Sequence, residues 1–393
     1  MALRYLTAGE SHGPRLVAIL EGLPAGLKLT PEVIEEQLSR RQRRNGAGPR
    51  MKIEIDHVQI LSGVMEGVTT GAPLAMEIEN RDHAKWKGVE VSPFTRPRPG
   101  HADLTGAIKY GYRDLRPSLE RASARETAAR VAVGAVCRQL LRPFEIKIGG
   151  YVRSIGEVVA DVADLALEDR ARGAEENNVC APNQEAAKAM EEQIRRTVEA
   201  RDTLGGTIEV FAIGLPPGLG SHVQWDRRLD ARLGAAVLSV QAIKGVEFGS
   251  AFENSRRRGT EVHDAILLEG ENLIRPTNNA GGLEGGITNG EPVLIRAAMK
   301  PIATTLIPQR TVDLAMGKEV PTQYERSDFC PVPRAVPILE AVVAYVLVEA
   351  LLEKLGGDSM GEILPRYQTL RRARLSDLKM DGTTHMFWPE EEV

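Results

Sequence analysis

Apolar and polar positions alternate over several short stretches of the chain and recur at helical spacing over a few longer ones. Residues 4–7 read as a strand that runs into a turn framed by Gly9 and Gly13, and AILEGLPAGLKL continues as strand, turn and strand. MKIEIDHVQIL and GAPLAMEIEN alternate as half-buried strands do. TLGGTIEVFAIGLPPGLG returns to strand and turn, and the Gly/Asn-rich stretch NNAGGLEGGITNG leads into a further strand. Helix signals lie between these. Thr30, Pro31 and Glu32 supply a capping hydroxyl, a proline at the first helical position and an acid in the first turn. Ser123 and Glu126 have the spacing of a capping box, which opens a helix of small residues (Ala124, Ala128, Ala129, Ala132, Gly134, Ala135) able to pack closely on several sides. The Pro-, Gly- and Arg-rich stretch before it reads as a loop. A second small-residue helix starts at Asp230 and hints at a twofold repeat that one sequence cannot establish.

PILEAVVAYVLVEALLEKLGG is the most apolar stretch. Pro337 marks a start, Gly356 and Gly357 a stop, and Glu340 and Glu349 bound a run too short to cross a bilayer. It reads as a buried helix. Residues 161–200 are acidic, Ala-rich and helical, a surface insertion in one domain spanning 1–366, and 367–393 read as a peripheral tail. Strands and helices mix without regular βα alternation, so the fold class expected is α+β, layered rather than doubly wound.

Composition narrows the functional classes. Of 393 residues, 42% are hydrophobic and only 4% aromatic, so aliphatic side chains and alanine must fill the core. The net charge of −4 provides no global basic field, which disfavours a nucleic-acid or membrane partner. Three scattered cysteines, Cys137, Cys180 and Cys330, fit a reducing, cytoplasmic setting better than a disulfide framework. No signal peptide is expected, and no histidine spacing suggests a metal site.

Four constellations carry chemistry. Glu10, Ser11 and His12 sit in a glycine frame, open between an acid/base turn and a solvated hairpin; GxSxG is absent, so no nucleophile elbow is expected. SRRQRRNGAGPRMK suits carboxylates or phosphate, or is a solvated helix end. RPRPGHADLTGAIKYGYRDLRPSLERASARE brings Arg96, Arg98, His101, Asp103, Arg113, Arg116, Arg121 and Arg125 to a capped helix start, which favours an anion site. In the C-terminal half, the Gly/Asn loop, Lys300 with Thr304, and Arg326 with Asp328 match neither a P-loop nor a dinucleotide fingerprint. Unaided, the residues describe an arginine-rich pocket for phosphate and carboxylates, with two histidines and an aspartate able to move protons.

Eight segments in order resemble the chorismate synthase family: GESHG, RRQ with RMKIE, RPGHAD with KYG, ERASARETAARVA, QAIKGVEFG, NNAGGLEGGITNG, KPIATT and RSDFCPVPRA. The resemblance implies a carbon–oxygen lyase that eliminates phosphate from 5-enolpyruvylshikimate 3-phosphate, with reduced FMN as transient electron donor and NADPH as a candidate reductant. It implies a β-α-β sandwich and a homotetramer. By resemblance, His12 faces the departing phosphate, His101 the flavin, and Asp328 takes part in proton removal. Ser11, Arg41, Arg50, Arg98 and Arg125 correspond to substrate contacts. Arg121, Ala122, Ser123, Gln241, Ala242, Gly286, Lys300, Pro301, Ile302, Ala303, Thr304 and Arg326 correspond to flavin contacts, with Lys300 and Thr304 as phosphate anchors. Two departures stand out: Ala47 replaces an expected arginine, and Ala122 a frequent serine. Two competing classes, an ordinary flavin oxidoreductase and a basic binding module, lack a nicotinamide fingerprint and a basic charge balance respectively.

Overall fold

The structure is a computed structural model that describes residues 3–42, 56–325, 328–378 and 380–388. Arg50, Arg326 and the Ala47 departure lie outside the described residues. In the first half, β1 (Arg4–Ala8) and β2 (Arg15–Glu21) form a hairpin, followed by α1 (Pro31–Gln42), β3 (Val58–Ser62) and β4 (Leu74–Glu79). Then come α2 (Asp103–Tyr110), α3 (Arg116–Ala122) and α4 (Thr127–Leu141). The second half runs β5 (Lys147–Ile155), α5 (Leu167–Glu175), α6 (Gln184–Glu199), β6 (Gly206–Ile213), α7 (Leu229–Leu238), β7 (Ile243–Phe248), β8 (Val293–Met299), α8 (Val332–Leu355) and α9 (Met360–Gln368).

Both main sheets are antiparallel. The first has the order β1-β2-β4-β3; the second reads β5-β6-β8-β7, with a two-residue strand, Val158–Val159, beyond β5. The strand order is the same, and so is the placement of helices: α1 and α7 follow the second strand of each set, α4 and α8 the fourth. The chain therefore repeats one plan. The two small-residue helices whose similarity suggested a repeat, α4 and α7, occupy different places in it.

Helices α4 and α8 pack closely on each other; α4 also packs on β1, β2 and β4, and α8 on β5 and β6. The approach is close because Gly134 lies against Ala341, where an added Cβ would fall 2.2 Å from the alanine Cβ. Twelve of the fifteen residues of α4 are buried, including every alanine and Gly134, which accounts for its composition. The apolar α8 is a buried core helix, surrounded by α1, α4, α7 and the second sheet. The segment read as an insertion forms α5 and α6, which bury Ala174, Ala186, Ala187, Met190 and Ile194.

Four local expectations need correction. Residues 22–29 do not form a second strand; they hold only isolated bridges at Ala25 and Lys28, since Pro24 lacks a donor and Gly26 turns the chain at φ 90°. The presumed loop before Ser123 contains α2 and α3. Each is about two turns long, too short to be stable alone, and stands by tertiary packing: Leu115 and Leu119 pack with Phe94 and Ala107, and Gly106 leaves room for Ser118. Ser123 does cap, but its hydroxyl accepts from the Arg125 N–H, while the Glu126 carboxylate turns to Thr7 and Arg130 instead of closing the box. Finally, α8 begins at Val332, so Pro337 lies inside it. Proline has no N–H for the Pro333 carbonyl four residues back, and the Cys180 thiol occupies that carbonyl at 3.4 Å.

Candidate active site

The glycine-framed turn joins β1 to β2. Gly9 sits at φ 107°, and a Cβ there would lie 2.3 Å from the Arg15 carbonyl, so the position admits only glycine. Asn80, just after β4, pins the turn by donating to the Glu10 and Gly13 carbonyls at 3.1 and 2.8 Å. The C-terminal end of α3 closes on it from the other side. Arg121 donates to the Gly9 and Thr7 carbonyls, and the Glu120 carbonyl accepts from the Ser11 N–H. The Glu120 carbonyl is one of the backbone groups that a helix end leaves without an intrahelical partner.

His12 is held on three sides. One Glu120 oxygen accepts from its backbone N–H at 2.7 Å, and the other lies 2.7 Å from Nδ1. The His83 ring meets its carbonyl at 2.8 Å, and Trp86 lies beside the imidazole with ring centroids 4.6 Å apart. Ser11 is buried and accepts from the Ser123 hydroxyl at 3.0 Å.

His101 has a parallel arrangement. Its Nδ1 lies 2.6 Å from a carboxylate oxygen of Asp103, which has no exposed surface. Arg98 donates to the same carboxylate through Nε and Nη2, and its Nη1 lies 3.5 Å from the Thr304 hydroxyl. Burial opposes the charge on Asp103, but hydrogen bonds from Arg98 and His101 override it and hold the carboxyl well below the usual range.

The two histidine sites are joined. Arg121 meets Thr7, the Thr7 hydroxyl donates to Glu126, and Gln241 donates to Glu126 at 3.3 Å. The next residue, Ala242, takes a left-handed φ of 67°, and its carbonyl accepts from the Lys300 N–H at 3.0 Å. The Lys300 ammonium then donates to the Gly100 carbonyl at 2.7 Å, next to His101. Hydrogen bonds and short covalent steps along the chain thus bring five distant motifs together in one rim. The Ile302 carbonyl, between Pro301 and Ala303, accepts from Thr203 and anchors the Lys300–Thr304 segment. Ala122 ends α3.

Other expected residues lie deeper or apart. Arg125 is buried and spent on Asn80, Asp56 and the Glu79 carbonyl. Arg41 is buried on Thr127 and the Ala124 carbonyl, with one guanidinium nitrogen lacking a hydrogen-bond partner among the described residues. Burial, reinforced by the nearby Arg334 charge, pushes it down to about 9. Asp328 is ion-paired with Arg334, which also reaches the Arg41 carbonyl. Gly286 stands outside the rim; a Cβ there would lie 2.7 Å from Arg228 Cβ, so glycine is needed for a backbone crossing.

Sequence reading missed the partners: Glu120, Asp56, Asn80, Trp86 and Arg334 had no assigned role, and Asp103 was counted in a charged stretch without its link to His101. ERASARE does contain Glu120, and HAD places Asp103 beside His101, but nothing in the sequence ties Glu120 to a histidine 108 positions away.

The model of the family described as chorismate synthase matches residues 3–352. The chain belongs to the chorismate synthase family. A chorismate synthase of Trichlorobacter lovleyi is 53% identical over 380 residues, covering 92% of this chain and 96% of the relative. That of Aquifex aeolicus is 52% identical over 384 residues, covering 93% and 96%. A solved structure titled "Crystal Structure of Chorismate Synthase" is 45% identical and superposes with a TM-score of 0.77, covering 94% of this chain and 97% of that one. The α+β mixture of helices and antiparallel sheets is thus shared with a chorismate synthase, and the rim is built largely from the segments that resemble that family.

Proposed function

We propose that the protein catalyses the anti-1,4-elimination of phosphate from 5-enolpyruvylshikimate 3-phosphate to give chorismate, the last step of the shikimate pathway, and that the rim between His12 and His101 is where it does so. The observation that supports this reading is the continuity of that rim, which joins two carboxylate-backed histidines to cations and hydroxyls from opposite halves of the chain. The substrate carries two carboxylates and a phosphate, so it needs fixed positive charge even in a protein of net charge −4.

The donor set fits FMN. Lys300 and Thr304 offer an ammonium and a hydroxyl for its phosphate, Arg121 and Ser123 add donors, and the buried Gln241 Oε1 lacks a hydrogen-bond partner among the described residues, as suits an acceptor for a ring N–H. When bound, reduced FMN supplies a transient electron with no net redox change. The chain's own residues do the rest. His12 is placed to stabilise or protonate the departing phosphate, Ser11 and Arg98 to orient the substrate, and Asp328 with Arg334 to take part in proton removal. His101 serves the reduced cofactor. Arg41, Arg50 and Arg125 complete the substrate contacts in this reading, and Arg326, Ala122, Ala242 and Gly286 the flavin contacts. We also read α4 and α8, each with a sheet packed on it, as the centre of a β-α-β sandwich. The protein is further taken to be a cytoplasmic homotetramer acting on a small anionic substrate, with NADPH as a candidate reductant and no nucleic-acid or membrane partner.

Turnover with reduced FMN under anaerobic conditions tests the function. His12→Ala and His101→Ala are each expected to lower kcat by about 100-fold or more while FMN affinity changes little. A variant that fails only in binding flavin would remove the role assigned to that histidine.

A further inference from the structure

His12 has one partner that touches it twice. Among the described residues, both oxygens of Glu120 go to His12, one to the backbone N–H and one to ring Nδ1, each at 2.7 Å. We propose that Glu120 is the positioning residue for His12, fixing the plane of its ring and the nitrogen that carries the proton. The inference rests on the catalytic reading of His12.

A carboxylate can only accept, so Nδ1 is the protonated nitrogen of the pair and Nε2 is the atom that exchanges a proton with a ligand. This requires Glu120 to be ionised. Burial acts to raise its carboxyl, but hydrogen bonds from the His12 ring and backbone override burial and hold it below its ordinary value. Glu120 is itself fixed, because its carbonyl accepts from the Ser11 N–H and the next residue, Arg121, clasps the Gly9 and Thr7 carbonyls. Trp86 covers the imidazole beside this contact. The ring is therefore held at Nδ1, at its backbone and on one side. Asp103 resembles Glu120 in backing a histidine, but it also takes three bonds from Arg98, so its loss would dismantle the 98–103 loop. Among the described residues, the Glu120 carboxylate takes hydrogen bonds from His12 alone.

The test is a double-mutant cycle in the full-length protein with reduced FMN. Glu120→Gln keeps the shape and can retain the backbone bond while losing the anion. It is expected to lower kcat about 10- to 100-fold, part of the 100- to 10,000-fold that a positioned acid contributes, with KM within about twofold. In a His12→Ala background the same substitution is expected to change kcat by less than about twofold, because coupled residues do not add. Glu120→Asp keeps the charge one methylene short and is expected to recover part of kcat. If Glu120→Gln does not accumulate as folded protein, Glu120→Asp carries the cycle, with lowered kcat and the same loss of effect in the His12→Ala background. An unchanged kcat, or an equal loss with and without His12, overturns the proposal. Full turnover by His12→Ala alone instead overturns the reading of His12 on which it rests.

Discussion

Asp103 organises one end of the site with a single side chain: Arg98 and His101 all converge on a carboxylate with no exposed surface. Its charge is favoured in the native state and less so in the unfolded chain, so its contribution to stability is present above the ordinary carboxylate pKa of about 4 and is lost as pH falls through the depressed native value. Asp103→Asn is expected to cost about 3 kcal/mol at pH 7, as breaking a buried pair does, and the deficit should shrink below pH ~4. Urea titrations of both proteins at pH 7 and in acid check this. The sequence singles out both histidines as candidates because glycines and arginines mark their surroundings. Their carboxylates were not, because a helical glutamate such as Glu120 looks like any other until the fold brings α3 against the β1–β2 turn. Arg41 and Arg125, read as substrate contacts, show what else the sequence does not carry. Their type suits anion binding, and the structure adds buried internal partners to both, Thr127 for Arg41 and Asp56 for Arg125, that charge pattern alone does not encode.

At the scale of elements, the pairing of α4 with α8 depends on the absence of a side chain. A Cβ at Gly134 would fall 2.2 Å from Ala341 Cβ and 2.4 Å from its Cα, so the helices would have to separate. Gly134→Ala is expected to destabilise the protein by about 1–3 kcal/mol, despite alanine's better helix propensity. Chemical denaturation measures it, and an unchanged or raised midpoint would show that the helices yield without cost. Long elements with clear periods, such as α1, α4, α6 and most of the main strands, were legible; β5, at Lys147–Ile155, was not read as a strand. Short helices α2 and α3 were not, since two turns carry too little period and owe their existence to Phe94, Leu115, Leu119 and Ala107. Pro337 misled for a chemical reason: a helix can pass through proline when another donor, here Cys180, takes the carbonyl that proline leaves.

Across the whole molecule, the repeated strand order makes two similar halves, and a buried charge cluster ties them together. Glu340 of α8, 1% exposed, accepts from Arg40 of α1 at 2.5 Å and from Arg138 of α4 at 3.0 Å, and Arg40 also donates to Glu175 of α5. Burial works against the Arg40 charge, but Glu340 and Glu175 more than offset it and hold the guanidinium above its ordinary value. Glu340→Gln would leave two arginines facing a neutral amide, with an expected loss of about 3–5 kcal/mol. A urea midpoint equal to wild type would show that the cluster does not couple the halves. The sequence placed Glu340 at the end of an apolar run; only the packing of α1 and α4 makes it central. The same convergence brings GESHG, RPGHAD, QAIKG and KPIATT into one rim, and this union underlies the functional reading. The direct test is to mix substrate anaerobically with the protein bearing reduced FMN, following the flavin spectrum while phosphate and chorismate are quantified. The account predicts one phosphate per chorismate and a flavin absorbance that changes during turnover and returns to the reduced spectrum at its end. Net oxidation of the flavin in step with product, or chorismate formation without flavin, would contradict it.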